Sequence, residues 1–430
     1  MHAARSFAPD TAVGGGAAGT ALACGYLLLS AFFMGSIFKS LGLPRLTGYL
    51  TTGILVGPQV LGLVSHPMVA NLQIFNGLAT ALIALTAGVE LDFRAIRPLI
   101  RSINLLSLIA VCGTIGLITG AVFLMHRKLP FMHTMTPVQV AAFSLVLGVT
   151  MVAQSPAVVV ALQAEMEADG PLTRTVLGVV VISDLLVIIL FALVSSVAKT
   201  VMGSRADAWH TAGALAWELL GSISVGLLVG VVIAVYLRYV KGSASLFVIA
   251  AAFLVAEVGQ RIELDPLLVA LAAGVLIRNV TRQGKRLQDE IEVSSLPVYV
   301  VFFAVAGATV HIKELFAVWM PAVALVLTRA AGFSSLGWVA TTLADAEENV
   351  RKYIGFGLMP QAGLALALAL LFVKTFPNYG ADASALVFGT VAINELIAPV
   401  LYRFALIKSG EAGKSERSQP GKIPAAQPTH

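Results

Sequence analysis

A few residues of this chain carry ionisable or polar chemistry in places where it is expensive. Asp184 stands inside the run Val179-Val180-Val181-Ile182-Ser183-Asp184-Leu185-Leu186-Val187, and no sequence neighbour can neutralise it. Arg329 and Glu395 are set in comparable apolar runs, while Glu90, Glu218 and Glu257 lie nearer the ends of theirs. A charge at mid-bilayer costs a few kcal/mol or more, so such groups face a partner or an aqueous cavity. An isolated carboxylate of this kind can hold a proton or a hard cation, for which oxygen is the fitting ligand. The alternative is a structural acid fixed by an interhelical hydrogen bond. Arg329 and Glu395 read equally well as a structural ion pair bracing the interior.

Two interruptions share this apolar background, Gln154-Ser155-Pro156 and Met359-Pro360-Gln361. Pro156 and Pro360 each remove a backbone donor and disturb the carbonyl one turn earlier. Freed backbone groups at membrane depth are tolerated only inside protein or along a cavity. Asp184, Ser183, Gln154 and Ser155 are therefore the candidate ion ligands. Arg329, Glu395 and Gln361 are candidates for structural support or charge compensation. The only metal these residues imply is a hard cation at Asp184. His66, His126, His133 and His311 lack metal-ligand spacing, Cys24 and Cys112 imply no disulfide framework, and no nucleophile stands with a base. No enzyme and no resident cofactor is expected.

The elements that hold these residues must cross a bilayer. The 430 residues are 58% hydrophobic and 12% charged, with a mean hydropathy of +0.89; soluble domains carry about 25% charged residues. Apolar stretches of helix-spanning length, roughly 20 residues, recur almost end to end and are apolar on all sides, which excludes barrel strands. Thirteen spans are expected, near 18–38, 46–63, 73–91, 103–125, 137–164, 172–198, 211–237, 244–260, 264–279, 295–312, 319–342, 353–373 and 383–406. Residues 1–17 form an extracytoplasmic segment without a signal-peptide pattern, 18–407 the transmembrane domain, and 408–430 a disordered cytoplasmic tail.

Nineteen of the 28 Lys and Arg fall in loops after odd-numbered spans or in the C-terminal tail. The positive-inside rule then places the N-terminus outside and the C-terminus in the cytoplasm. The net charge of +5 is spread through short loops, so no nucleic-acid partner is expected; the surroundings are membrane lipid.

The breaks lie in spans five and twelve, seven apart, so the two copies cross in opposite directions. Six spans, a linker and six spans make an inverted-topology repeat. Paired broken helices at matching positions point to a transporter's midplane site, where half-helix ends bring opposing partial charges together. Asp184 and Glu395 each lie one span after a break, and Arg329 one span before the second.

With these pieces in order, the chain resembles the monovalent cation:proton antiporter superfamily, in its bacterial sodium/hydrogen exchanger-like branch of the cation:proton antiporter-2 type. The resemblance runs over about residues 20–407. It rests on Leu43-Pro44-Arg45-Leu46-Thr47-Gly48-Tyr49 leading to Gly53 and Gly57-Pro58, on Gly88-Val89-Glu90-Leu91-Asp92, on both breaks, on Ser183-Asp184 and on Asn394-Glu395-Leu396. It implies a dimerisation domain beside a mobile core of spans 4–6 and 11–13, a homodimer, and a bacterial inner membrane. It also implies pH homeostasis by cation-for-proton exchange, with Asp184 as the essential carboxylate. The position before that aspartate is usually Asp in electrogenic members and Asn in many electroneutral ones; here it is Ser183. Arg329 replaces a Lys that can release a proton, and an arginine stays charged. Both departures imply electroneutral 1:1 exchange. A sodium-coupled organic anion symporter of related inverted-repeat architecture is the alternative, but it needs polar substrate contacts that the spans scarcely supply.

Overall fold

The computed structural model describes residues 17–202, 213, 217–240, 244–262, 264–310, 312–361, 364–366, 368–369, 372, 376 and 379–414. The described residues form helices joined by short connections, and no strand occurs among them. The helices are α1 (Ala17–Ser40), α2 (Arg45–Val56), α3 (Ile74–Glu90), α4 (Phe93–Lys128), α5 (Pro137–Val152), α6 (Pro156–Glu165), α7 (Pro171–Val201), α8 (Ser222–Tyr239), α9 (Ser245–Arg261), α10 (Pro266–Val280), α11 (Gly284–Ala308), α12 (Ile312–Leu343), α13 (Glu348–Gly357) and α14 (Gly380–Lys408). A short helix, His66–Leu72, leads into α3. Among the described residues, eight helices or continuous helix pairs are long and apolar enough to cross a membrane alone, and nine if the 57° bend within α11 is counted as one span. The chain is an all-α integral membrane protein.

The first expected break is two helices in line. α5 opens on a reciprocal capping box between Thr136 and Gln139 and ends at Val152. Ala153 and Ser155 are extended, and the Ser155 hydroxyl accepts from the Val158 N–H at 3.3 Å, capping α6. Pro156 takes the first helical position, where the missing donor costs nothing. It therefore starts the second half-helix rather than kinking a continuous one. α13 stops at Gly357, Met359–Gln361 are non-helical, and helix resumes at residue 364. The next two residues, Ala362 and Gly363, lie outside the described residues.

The helices pack in two groups. α4–α7 and α12–α14 pack chiefly with one another, as do α1–α3 and α8–α11. The groups meet mainly through α6 and α14 against α2 and α3. Close approach within each group uses glycine. A Cβ at Gly88 would lie 2.9 Å from Gly274 Cα, and one at Gly307 would lie 2.1 Å from the Leu50 carbonyl. Small residues at such crossings let helices gain dispersion where lipid supplies no hydrophobic drive.

Contacts between loops test the alternation of sides. Glu165 binds the N–H of Arg45, Arg278 pairs with Asp92, Arg101 with Asp345, Arg286 reaches the Leu237 and Val240 carbonyls, and Asn349 reaches Ser409. All of these segments follow odd-numbered spans. On the opposite face Asn71 meets Thr20, and the Trp217 indole donates to the Ile262 carbonyl. The cation-rich loops therefore gather on one face.

One expectation needs correction. The sequence reads as a disordered tail from residue 408, yet residues 409–414 are folded. The buried Glu411 carboxylate accepts from the N–H groups of Leu172 and Thr173, at 2.7 and 2.8 Å, and from the Thr173 hydroxyl at 2.6 Å. α7 has Gly170 and Pro171 at its start and no side-chain cap of its own. A carboxylate from the C-terminal segment satisfies its orphan donors and complements its dipole instead.

Candidate functional site

A helix that stops in mid-membrane leaves carbonyl oxygens without donors. Here one side chain serves both stops. Arg329, fully buried on α12, donates from Nε to the Met151 carbonyl at 3.0 Å and from one terminal nitrogen to the Ala153 carbonyl at 3.2 Å. The same guanidinium reaches the Met359 carbonyl at 2.6 Å and the Leu358 carbonyl at 3.4 Å. Its plane also lies against the Phe333 ring, 4.7 Å from the centroid. The negative ends of α5 and α13 thus converge on one cation. Only a planar fork can span four carbonyls on two segments.

The two breaks touch through a second link. Gln361 Nε2 donates to the Met151 carbonyl at 3.0 Å, and Asn394 Nδ2 donates to Gln361 Oε1 at 2.8 Å. α14 thereby fixes the amide of the second break, which in turn holds the first. This corrects the expected brace: Arg329 holds the crossing through main-chain carbonyls, and no ion pair joins it to Glu395. Glu395 is buried on the same helix, beside Asn394.

Asp184 lies on α7, which packs against both α5 and α6. It is only 3% exposed, so it does not face lipid, and neither carboxylate oxygen has a hydrogen-bond partner among the described residues. The reading of Asp184 as an acid fixed by an interhelical hydrogen bond is therefore set aside. Ser183 Oγ and both polar atoms of the Gln154 amide are also buried and unpartnered. Buried polar groups are almost always bonded, so this collection needs water or an ion. It offers oxygens of the hard kind. No cluster of His, Cys, Asp or Glu suited to a tightly held metal occurs among the described residues. Ser155 stands apart from the set in one respect, because its hydroxyl is engaged as the cap of α6.

A cavity of about 330 Å³ opens on the cation-rich face between the two helix groups. Thr173, Arg174 and Leu177 of α7 line it, with Gln163 of α6, Glu90 of α3, and Asp92 and Arg278. Asp184 follows Leu177 by seven residues. That is two turns on the same face, or about 10 Å along the axis. Glu90 thus faces the cavity, and the Glu218 side chain lies outside the described residues. Sequence reasoning passed over Asn394 as a donor and Glu411 as a cap, because both act on atoms of other helices.

Two broken helices meeting inside a membrane bundle, with a buried unpartnered carboxylate beside them, define a secondary-transporter type of protein. Comparison makes the class specific. The family model described as "Sodium/hydrogen exchanger, transmembrane" matches residues 28–408. The chain belongs to the sodium/hydrogen exchanger family. It is 24% identical over 404 residues, 88% of its length, to a glutathione-regulated potassium-efflux system protein of Haemophilus influenzae. It is 24% identical over 287 residues, 66% of its length, to the iron transporter MagA of Paramagnetospirillum magneticum. These alignments take in 60% and 62% of the two relatives, so the chain spans about three fifths of their length. The fold is similar to that of the sodium proton antiporter MjNhaP1 of Methanocaldococcus jannaschii at pH 8. The TM-score is 0.66 at 16% identity, covering 90% of this chain and 98% of that one. A second MjNhaP1 structure, from an electron-microscopy map, gives 0.66 over 95% and 99%.

Proposed function

We propose that this protein exchanges a monovalent cation, Na⁺ or K⁺, for H⁺ across a bacterial inner membrane, with Asp184 as the shared carrier. The observation that carries this reading is the Asp184 carboxylate: buried, without a protein partner, and one helix away from both breaks. Proton and cation compete for the same two oxygens, and either one neutralises the site. Movement of the bare charge through a low-dielectric interior is disfavoured, so each passage carries one ion or the other. Ser183 and Gln154 supply further oxygens when the cation is bound, and the Ser155 carbonyl or hydroxyl completes a set of hard ligands.

Exchange is electroneutral, one cation for one proton. Ser183 adds no second acid, and Arg329 is committed to four carbonyls. Alternation comes from the group α4–α7 with α12–α14 moving against α1–α3 with α8–α11, the latter also forming a homodimer contact. The 6+1+6 inverted repeat gives that motion two related end states. The cation-rich face is cytoplasmic, the C-terminus lies there and the N-terminus lies outside. The printed names of the curated relatives, a potassium-efflux protein and an iron transporter, keep the cation itself an object of the test.

Purified protein in proteoliposomes carrying a pH dye, with Na⁺, K⁺ and Li⁺ added in turn, tests the reading. Proton flux should follow one or more of these cations and should not change when the membrane potential is clamped. Absence of cation-driven flux defeats the exchange; a reversal potential defeats the 1:1 stoichiometry.

A further inference from the structure

The second half of the chain carries its own polar pair. Asn394 and Glu395 lie on α14, the helix after the second break, as Ser183 and Asp184 lie on α7, the helix after the first. In both pairs a neutral polar residue precedes the acid, and all four side chains are buried. Asn394 fixes where its pair stands. Its Nδ2 donates to Gln361 Oε1 at 2.8 Å, and Gln361 holds the Met151 carbonyl at the end of α5. The pair is therefore at the crossing of the broken helices. Glu395 shares a face of α14 with Tyr402, two turns further on. Tyr402 Oη accepts from Gln163 Nε2 at 2.7 Å, so this face is turned to α6.

The polar atoms of the pair are not satisfied by protein. Asn394 Oδ1 is buried without a partner. The Glu395 carboxyl, 6% exposed, makes no hydrogen bond or ion pair with the described residues. α14 packs against α2, α5, α6, α12 and α13. On α12, Arg329 is committed to its four carbonyls. α5 carries no charged residue, and Arg45 of α2 and Glu165 of α6 stand at helix ends. On α13, Arg351 reaches the Ala346 carbonyl and Lys352 pairs with Glu348. A buried carboxyl without a counter-charge is kept neutral by a proton, or by a hard cation on its oxygens.

We propose that Glu395, beside the Asn394 side-chain oxygen, is a second binding site for a proton or a hard monovalent cation, filled in place rather than carried. Asn394 is tied into the crossing, whereas no hydrogen bond ties the Ser183 hydroxyl or the Asp184 carboxylate. An ion exchanged at Glu395 thus changes the charge next to the network that closes the two breaks. The proposal rests on the exchange reading above, in which Asp184 is the carrier.

A cation that displaces a proton from a carboxyl releases that proton to solvent. Purified protein in weakly buffered detergent with a pH dye, given saturating Na⁺, K⁺ or Li⁺ against choline chloride between about pH 5 and 9, counts the sites. Wild type should release at most about two protons per chain, and Glu395→Gln and Asp184→Asn about one each. Glu395→Asp, which keeps the carboxyl, should retain about two. In proteoliposomes Glu395→Gln should keep cation-driven proton flux at a rate lowered severalfold. Release of about one proton from wild type, lost in Asp184→Asn and unaltered in Glu395→Gln, overturns the second site and leaves the exchange reading standing. A Glu395→Gln protein that still releases its proton yet carries no flux overturns the in-place assignment. No release from wild type with any cation defeats the exchange reading itself.

Discussion

Arg329 and Gln361 share one acceptor: each donates to the Met151 carbonyl oxygen at 3.0 Å. One donor comes from α12 and the other from the second break, and the oxygen belongs to the last turn of α5. The crossing of the two broken helices is thus closed by polar atoms that have no water to fall back on. In a low dielectric such a network is stabilising only while complete.

Arg329→Ala should leave four carbonyls on two helix ends without their charged donor. Breaking a buried charged contact costs about 3–5 kcal/mol, so the variant should melt well below wild type and transport nothing. Arg329→Lys keeps the charge, but a compact ammonium cannot span both segments. It should melt between the two. Thermal unfolding followed by intrinsic fluorescence checks the order. A Lys variant that melts like wild type would show that charge alone suffices.

Glu411→Ala removes the carboxylate that caps α7. The expected cost is about 1–2 kcal/mol, the scale of a lost helix cap. A chain ending at Ser409 should match it. Hydrogen exchange at Leu172 and Thr173 should quicken in both. Unchanged protection at these two amides would mean that the C-terminal segment does not cap the helix.

The clasp between helix groups can be tested at Glu165, whose carboxylate accepts the Arg45 N–H at 2.8 and 3.1 Å. Arg403 reaches the Gly42 carbonyl in the same turn. Glu165→Ala with Arg403→Ala should speed amide exchange across residues 42–48 severalfold and alter the turnover rate. If exchange there is unmoved, the groups are not held together at this turn.

Asp92 gives an expectation for acid. Burial works against its ionised form, but the Arg94 N–H and the Arg278 guanidinium, 3.1 Å away, hold its carboxyl below the usual carboxylate range. A group depressed on folding adds stability above its unfolded value, near 4, and loses it as pH falls through the folded value. Asp92→Asn should therefore cost under about 1 kcal/mol near neutrality, since the pair is partly exposed. It should also flatten the fall in melting temperature below about pH 4. A variant with the same acid sensitivity as wild type would show that other carboxylates govern that window.

Much of this arrangement was legible in the sequence, for a physical reason. Apolar runs of fixed length, two prolines seven spans apart and a lone aspartate are local signals, and lipid allows few structures to satisfy them. Asp184 was found because nothing near it in sequence could neutralise it. What stayed hidden depends on atoms brought together only by folding. Arg329 suggested a carboxylate partner, yet it serves main-chain carbonyls, which have no sequence signature. Glu411 looked like tail because its partners are the N–H groups of another helix.

The most direct test of the carrier is Asp184→Asn, which keeps size and polarity and removes the charge. The variant should purify and melt like wild type, yet show no dye response in proteoliposomes to any of Na⁺, K⁺ or Li⁺. Wild-type proton flux from this variant would contradict the assignment of Asp184 as the shared carrier.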